Sequence, residues 1–85
     1  MDDFDTRFQE AVATSKTLTR DPGNDTKLEL YALYKQAQDG DVSGDRPGML
    51  DFVNRAKYDA WAGVQGMSGE DAKQRYIEII EGLKG

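Results

Sequence analysis

With 85 residues, of which 38% are hydrophobic and 32% charged, the chain is long enough for one folded domain with a thin core, residues 1–85, and too apolar for disorder. Cysteine and histidine are both absent, which excludes disulfides, thiolate chemistry, and the commonest general base and metal ligand. Sixteen acidic against eleven basic residues give a net charge of −5, which excludes the positive field of a non-specific nucleic-acid binder but not one anionic ligand held by local lysines.

The acidic start, Met1-Asp2-Asp3-Phe4-Asp5, has the wrong charge for a signal peptide and no apolar stretch. No apolar run approaches the ~20 residues that span a bilayer. The expectation is a soluble, cytoplasmic protein. A first helix is predicted from about Asp5 to Leu18, with Phe8, Val12, Ser15 and Leu18 on one face. Asp21-Pro22-Gly23-Asn24 ends it. A second helix runs from about Asp25 to Asp39 with Leu28, Tyr31, Ala32 and Leu33 on its apolar side, and Gly40 closes it. Its start is open between Asn24 as cap and a capping box over Thr26-Lys27-Leu28-Glu29.

A turn-rich connection, 41–50, carries Val42, Met49 and Leu50, which are expected to tuck against the helices. A third helix follows from Asp51 or Val53 to Ala62, holding Phe52, Ala56, Ala60 and Trp61, with Trp61 in or near the core. Ser68-Gly69-Glu70-Asp71 signals the start of a fourth, whose face is Ala72, Tyr76, Ile80 and Leu83. Nothing alternates with period two, so the class is all-α.

Tyr31, Tyr34 and Lys35 fall at i, i+3 and i+4 and share one helical face. Taken alone, aromatic residues at that spacing are usually core and lysines are usually solvated. The aspartates at 39, 41, 45 and 51 lack the spacing of a calcium loop and fit loop solubility and capping better, so no metal is expected. Arg46-Pro47-Gly48 fits a structural turn better than a phosphate cradle.

Three strings change those odds. Tyr31-Ala32-Leu33-Tyr34-Lys35-Gln36-Ala37 resembles the YxxYKQA signature of acyl-CoA-binding proteins. Gly40-Asp41-Val42 and Arg46-Pro47-Gly48-Met49-Leu50-Asp51-Phe52 resemble that family's GD…RPGMLDF loop, and Ala56-Lys57-Tyr58-Asp59-Ala60-Trp61 its AKWDAW segment. The resemblance implies an up-down-down-up four-helix bundle, which the long connection between helices 2 and 3 suits. It implies a non-catalytic carrier of medium- to long-chain fatty acyl-CoA esters. It further implies that Lys35 and Lys57 meet at the ribose 3′-phosphate, with Tyr31 beside them and Tyr34 near the adenine, and that Lys16 and Tyr76 also touch the ligand. Four positions depart from the family's pattern. Tyr58 stands where tryptophan is usual, and Val53 where some members carry a lysine, a loss that Arg55 would partly replace. Lys27 replaces a common apolar residue, and Ser15 stands where valine is frequent, so that Ser15→Val is expected to stabilise the protein.

The ligand so implied needs three kinds of contact: aromatic stacking for adenine, cations and hydroxyls for phosphates, and apolar surface for the chain. This sequence has residues for all three. No cofactor is called for. The partner is the acyl-CoA itself, bound by a monomer, with transient contacts to acyl-CoA-using enzymes or membranes. The rival function is a helical interaction module that docks a partner helix or enzyme.

Overall fold

The computed structural model describes residues 3–19 and 21–84; Met1 and Asp2 of the acidic start lie outside the described residues. Those residues form four helices and no strand: α1 (Asp3–Ser15), α2 (Asn24–Asp39), α3 (Phe52–Ala62) and α4 (Gly69–Lys84).

Local chemistry explains where each helix begins and ends. α1 stops three residues short of Leu18 because hydroxyl side chains capture its last carbonyls. Ser15 Oγ donates to the Val12 carbonyl at 2.6 Å and Thr17 Oγ1 to that of Thr14 at 3.1 Å, while the Lys16 and Thr17 N–H groups bond three residues back. α2 begins after Gly23, at φ 91°, without any side-chain cap, so neither Asn24 nor Thr26 plays the part offered above. The turn is set instead by Asp21, whose carboxylate accepts the Gly23 N–H at 2.8 Å. Gly40, at φ 82°, ends α2 in a conformation that suits glycine, and its N–H returns to the Gln36 carbonyl. The Ser68 signal is realised: its Oγ accepts the Asp71 N–H at 3.0 Å.

Side-chain pairs between helices give the directions. Glu29 meets Arg75 and Gln36 meets the Met67 carbonyl, so α4 runs opposite to α2. Asp5 and Phe8 meet Lys73 while Ser15 meets Tyr76, so α1 and α4 run alike. Tyr31 faces Lys57 and Lys35 faces Trp61, which makes α2 and α3 parallel. This is the up-down-down-up bundle, with the long connection joining the two parallel helices. α2 packs on α3 to one side and on α4 to the other, and α4 carries α1. The backbones of α1 and α2 stay apart, and the described body is flattened, 39 × 30 × 15 Å.

The core joins Phe8 and Ala11 of α1, Leu30 and Leu33 of α2, and Ala72, Tyr76, Ile77 and Ile80 of α4. Val64 and Met67, from the turn before α4, pack against it. Trp61 is buried, and its indole N–H donates to the Gly40 carbonyl at 2.8 Å, tying α3 to the end of α2.

The connection 40–51 behaves differently from expectation. Met49 and Leu50 are 76% and 90% exposed, and Phe52 at the head of α3 is 73% exposed; of the three connection residues only Val42 is half-buried. Polar bonds hold the segment instead of apolar packing. Arg46 makes a two-pronged bond to Asp59 at 2.7 and 2.6 Å, Tyr58 donates to the Gly44 carbonyl at 2.9 Å, and Asp41 accepts from Gln36 Nε2 and the Gly66 N–H, both at 2.8 Å. Arg46 is thus committed to the turn, as expected.

Candidate functional site

Because α1 and α2 splay apart, a cavity of ≈ 530 Å³ opens between them. The end of α1 supplies Val12, Ser15 and the following Lys16, the turn supplies Pro22, and α2 supplies Lys27, Leu30, Tyr31 and Tyr34, with Tyr76 of α4 beneath. A second cavity, ≈ 400 Å³, lies between the starts of the parallel helices α2 and α3. Leu28, Phe52, Val53 and Ala56 give it an apolar lining, bordered by Asn24, Lys27, Tyr31 and Lys57. Lys27 and Tyr31 belong to both, so the two hollows abut along one turn of α2.

Packing fixes the tyrosines. The Phe8 ring, fully buried, stacks near Tyr34 with centroids 6.3 Å apart and meets Tyr76 edge-on at 5.3 Å. The Tyr76 hydroxyl donates to Ser15 Oγ at 3.1 Å, and burial pushes its pKa up, so it stays a neutral donor. Ser15 therefore works through its hydroxyl on the face shared with α4, which sets lost hydrogen bonds against the apolar gain expected of valine there.

The seam between α2 and α3 carries two cation–π rungs one helical turn apart. The Lys57 ammonium lies 5.4 Å from the Tyr31 ring centroid, and the Lys35 ammonium lies 4.9 Å from that of Trp61. Lys35 is also 2.6 Å from Asp39, whose hydrogen bond holds it firmly protonated. Of the residues singled out from sequence, the first cavity gathers Lys16, Tyr31, Tyr34 and Tyr76, and the second Tyr31 and Lys57. Lys35 lines neither, and stands one turn beyond, between Asp39 and Trp61. Arg55 and Tyr58 also line neither cavity, while Val53 does line the second. Leu28 and Phe52 were noted above only as helix-face residues, although their apolar spacing was on view.

Over residues 5–80 the chain matches the family described as acyl-CoA-binding protein. It belongs to that family. It is 45% identical over 76 residues to the acyl-CoA-binding protein homolog 1 of Caenorhabditis elegans, covering 89% of this chain and 88% of the relative. It is 46% identical over 76 residues to the enoyl-CoA delta isomerase 2 of Rattus norvegicus, again covering 89% of this chain but only 19% of that protein. The chain thus spans about a fifth of the isomerase's length. The crystal structure of Oryza sativa acyl-CoA-binding protein 2 superposes with a TM-score of 0.91 at 41% identity, covering 95% of this chain and 90% of that one.

Within the family fold, then, the helix seam of this chain presents a tyrosine-rich hollow, an apolar hollow and three lysines on their borders: Lys16, Lys27 and Lys57. Such a site suits an amphipathic anion with an aromatic part. Among the described residues no group of histidine, cysteine or acidic side chains is placed to hold a metal ion, and no helix is long and apolar enough to cross a membrane.

Proposed function

We propose that the protein is a non-catalytic, monomeric, cytoplasmic carrier of medium- to long-chain fatty acyl-CoA esters. The observation that carries this reading is the adjoining pair of cavities, one rich in tyrosine hydroxyls and one apolar, joined at Tyr31 and edged by lysines. Adenine finds a stacking partner in Tyr34 or Tyr31, worth about 1–3 kcal/mol per ring. Lys57 and Lys35 hold the 3′-phosphate, with Lys35 exchanging its bond to Asp39 for the ligand. Lys16 and the Tyr76 hydroxyl contribute from the first cavity. Each methylene buried in the apolar hollow adds about 0.8 kcal/mol before ordering costs.

Chemistry supports the non-catalytic part of this reading. The chain has no cysteine or histidine, and a carboxylate base would need a raised pKa. Asp21, Asp41 and Asp59 are instead all held below the ordinary aspartate value, by the Gly23 N–H, the Gly66 N–H and Arg46 respectively. Prolonged incubation with palmitoyl-CoA should therefore release no free thiol.

Calorimetric titration at fixed salt tests the carrier reading. Palmitoyl-CoA should bind most tightly, free CoA more weakly, and palmitate poorly, because palmitate lacks the anchor for the tyrosines and lysines. Palmitate bound as tightly as its CoA ester would make this a general fatty-acid carrier and remove the roles given to Lys35 and Lys57.

A further inference from the structure

We infer that Lys27 holds the pyrophosphate of the bound CoA ester, at the point where the ligand crosses from one cavity to the other. The inference rests on the acyl-CoA reading above. Lys27 and Tyr31, four residues apart on α2, are the two side chains common to both cavities. The Lys27 ammonium lies 3.3 Å from the Asp21 carboxylate, which is itself fixed by the Gly23 N–H at 2.8 Å. Its side chain is more than half exposed.

The order of groups along the ligand does the rest. A CoA ester runs from adenosine 3′-phosphate through pyrophosphate and pantetheine to the acyl chain. Adenine matches the cavity of Tyr34 and Tyr76, and hydrocarbon matches the cavity of Leu28, Phe52, Val53 and Ala56. A ligand occupying both must pass over the shared border; between adenine and hydrocarbon its anionic groups are the ribose 3′-phosphate, given above to Lys57 and Lys35, and the pyrophosphate, which is left for the border. The border carries a cation at Lys27, with Lys16 in one hollow and Lys57 in the other. Lysine at this border presents a cation for an anion to neutralise. In this structure Asp21 supplies that anion. A pyrophosphate carries more charge and more acceptor oxygens than one carboxylate, so it displaces Asp21 from Lys27.

Asp21 and Lys27 should therefore act on binding with opposite signs. Calorimetry with palmitoyl-CoA and with its 3′-dephospho form, on variants whose thermal midpoints match the parent, tests this. Lys27→Met should weaken both ligands by about tenfold, since both keep the pyrophosphate. Asp21→Asn keeps an oxygen for the Gly23 N–H but removes the competing charge, and should tighten both severalfold. In the Lys27→Met background, Asp21→Asn should change little. Unchanged or tighter palmitoyl-CoA binding by Lys27→Met, or a loss confined to the 3′-phosphorylated ligand, overturns the inference. If the parent protein itself fails to bind palmitoyl-CoA, the carrier reading falls; if the parent binds and only the variants disobey, Lys27 alone is misassigned.

Discussion

Replacing Ser15 with valine sets two effects of opposite sign against each other, and the structure decides between them. Valine adds two apolar groups in place of a hydroxyl, worth about 1.6 kcal/mol if fully buried. Ser15 is only half-buried and borders an open cavity, so about half of that is realised, ~0.8 kcal/mol. Against it, Ser15 Oγ accepts the hydroxyl of Tyr76, a residue only 4% exposed, and donates to the Val12 carbonyl. Stranding a buried donor costs about 1–3 kcal/mol, and the lower half of that range applies because the cavity admits water. Ser15→Val should therefore lower the unfolding free energy by about 1 kcal/mol, a drop of about 1 M in the urea midpoint for a protein this small. In a Tyr76→Phe background the stranded donor no longer exists, and the same substitution should be neutral or mildly stabilising. Urea titrations of the four proteins of this cycle give the coupling directly. An equal rise of the midpoint in both backgrounds would refute the claim that the Tyr76–Ser15 bond matters.

Lys57→Ala should weaken palmitoyl-CoA by roughly 10- to 100-fold and the 3′-dephospho form much less, and Lys35→Ala should follow the same pattern with a smaller loss because Asp39 competes for its ammonium; equal losses on both ligands in calorimetry would place these lysines elsewhere. Phe8→Leu should cost about 1–2 kcal/mol in urea titrations and also loosen palmitoyl-CoA, because the lost ring positions both Tyr34 and Tyr76; unaltered affinity would confine Phe8 to the core. Asp21, Asp41 and Asp59 all have folded pKa values below their ordinary 3.8, so their contribution is complete above that value and disappears as pH falls through the lower folded values. The thermal midpoint should then drop from about pH 4 downwards, with a shallower fall in Asp41→Asn; an identical acid limb in that variant would show that the clasp to Gln36 and Gly66 carries no linkage.

What could be foreseen divides along physical lines. The four helices follow from local signals: Pro22 and Gly23, Gly40, and the hydroxyl of Ser68. Helix directions and the loop's anchoring depend on partners distant in sequence. Gln36 was foreseen only as a letter in a motif, yet it is buried, and its amide donates to Asp41 and to the Met67 carbonyl across the bundle. The face of Ser15 was foreseen but not its hydroxyl bond, because the partner, Tyr76, lies 61 positions away. Met49 and Leu50 were misjudged for the converse reason: hydrophobicity predicts burial only where backbone geometry offers a surface, and this loop is held by Arg46, Asp41 and Tyr58. The tyrosines and lysines of the site came from motifs. That Lys27 and Tyr31 join two cavities is a property of how α1, α2 and α3 diverge, which no spacing along one helix contains.

The pairing of its cations bears on how a chain of net charge −5 would hold the polyanion proposed above. Three of the lysines proposed to meet the ligand have partners of graded strength: Lys57 faces the Tyr31 ring, Lys27 a carboxylate at 3.3 Å, and Lys35 both a ring and a carboxylate at 2.6 Å. These four partners hold the three ammoniums near the seam, two by a ring face and two by a carboxylate. A phosphate gains most against the ring, which remains available for stacking once its cation turns to the ligand, and least against Asp39, which must be displaced. The parallel course of α2 and α3 makes this possible. It sets Tyr31 opposite Lys57 and Lys35 opposite Trp61, so that residues four apart on each helix present two lysines along one seam. In an antiparallel pair the same sequence would reverse that order, setting Lys35 against Lys57 and Tyr31 against Trp61. Two ammoniums would then repel in the free state. On the carrier reading proposed above, the long, polar-clasped connection that keeps α3 parallel to α2 is thus as necessary to the site as the tyrosines and lysines themselves.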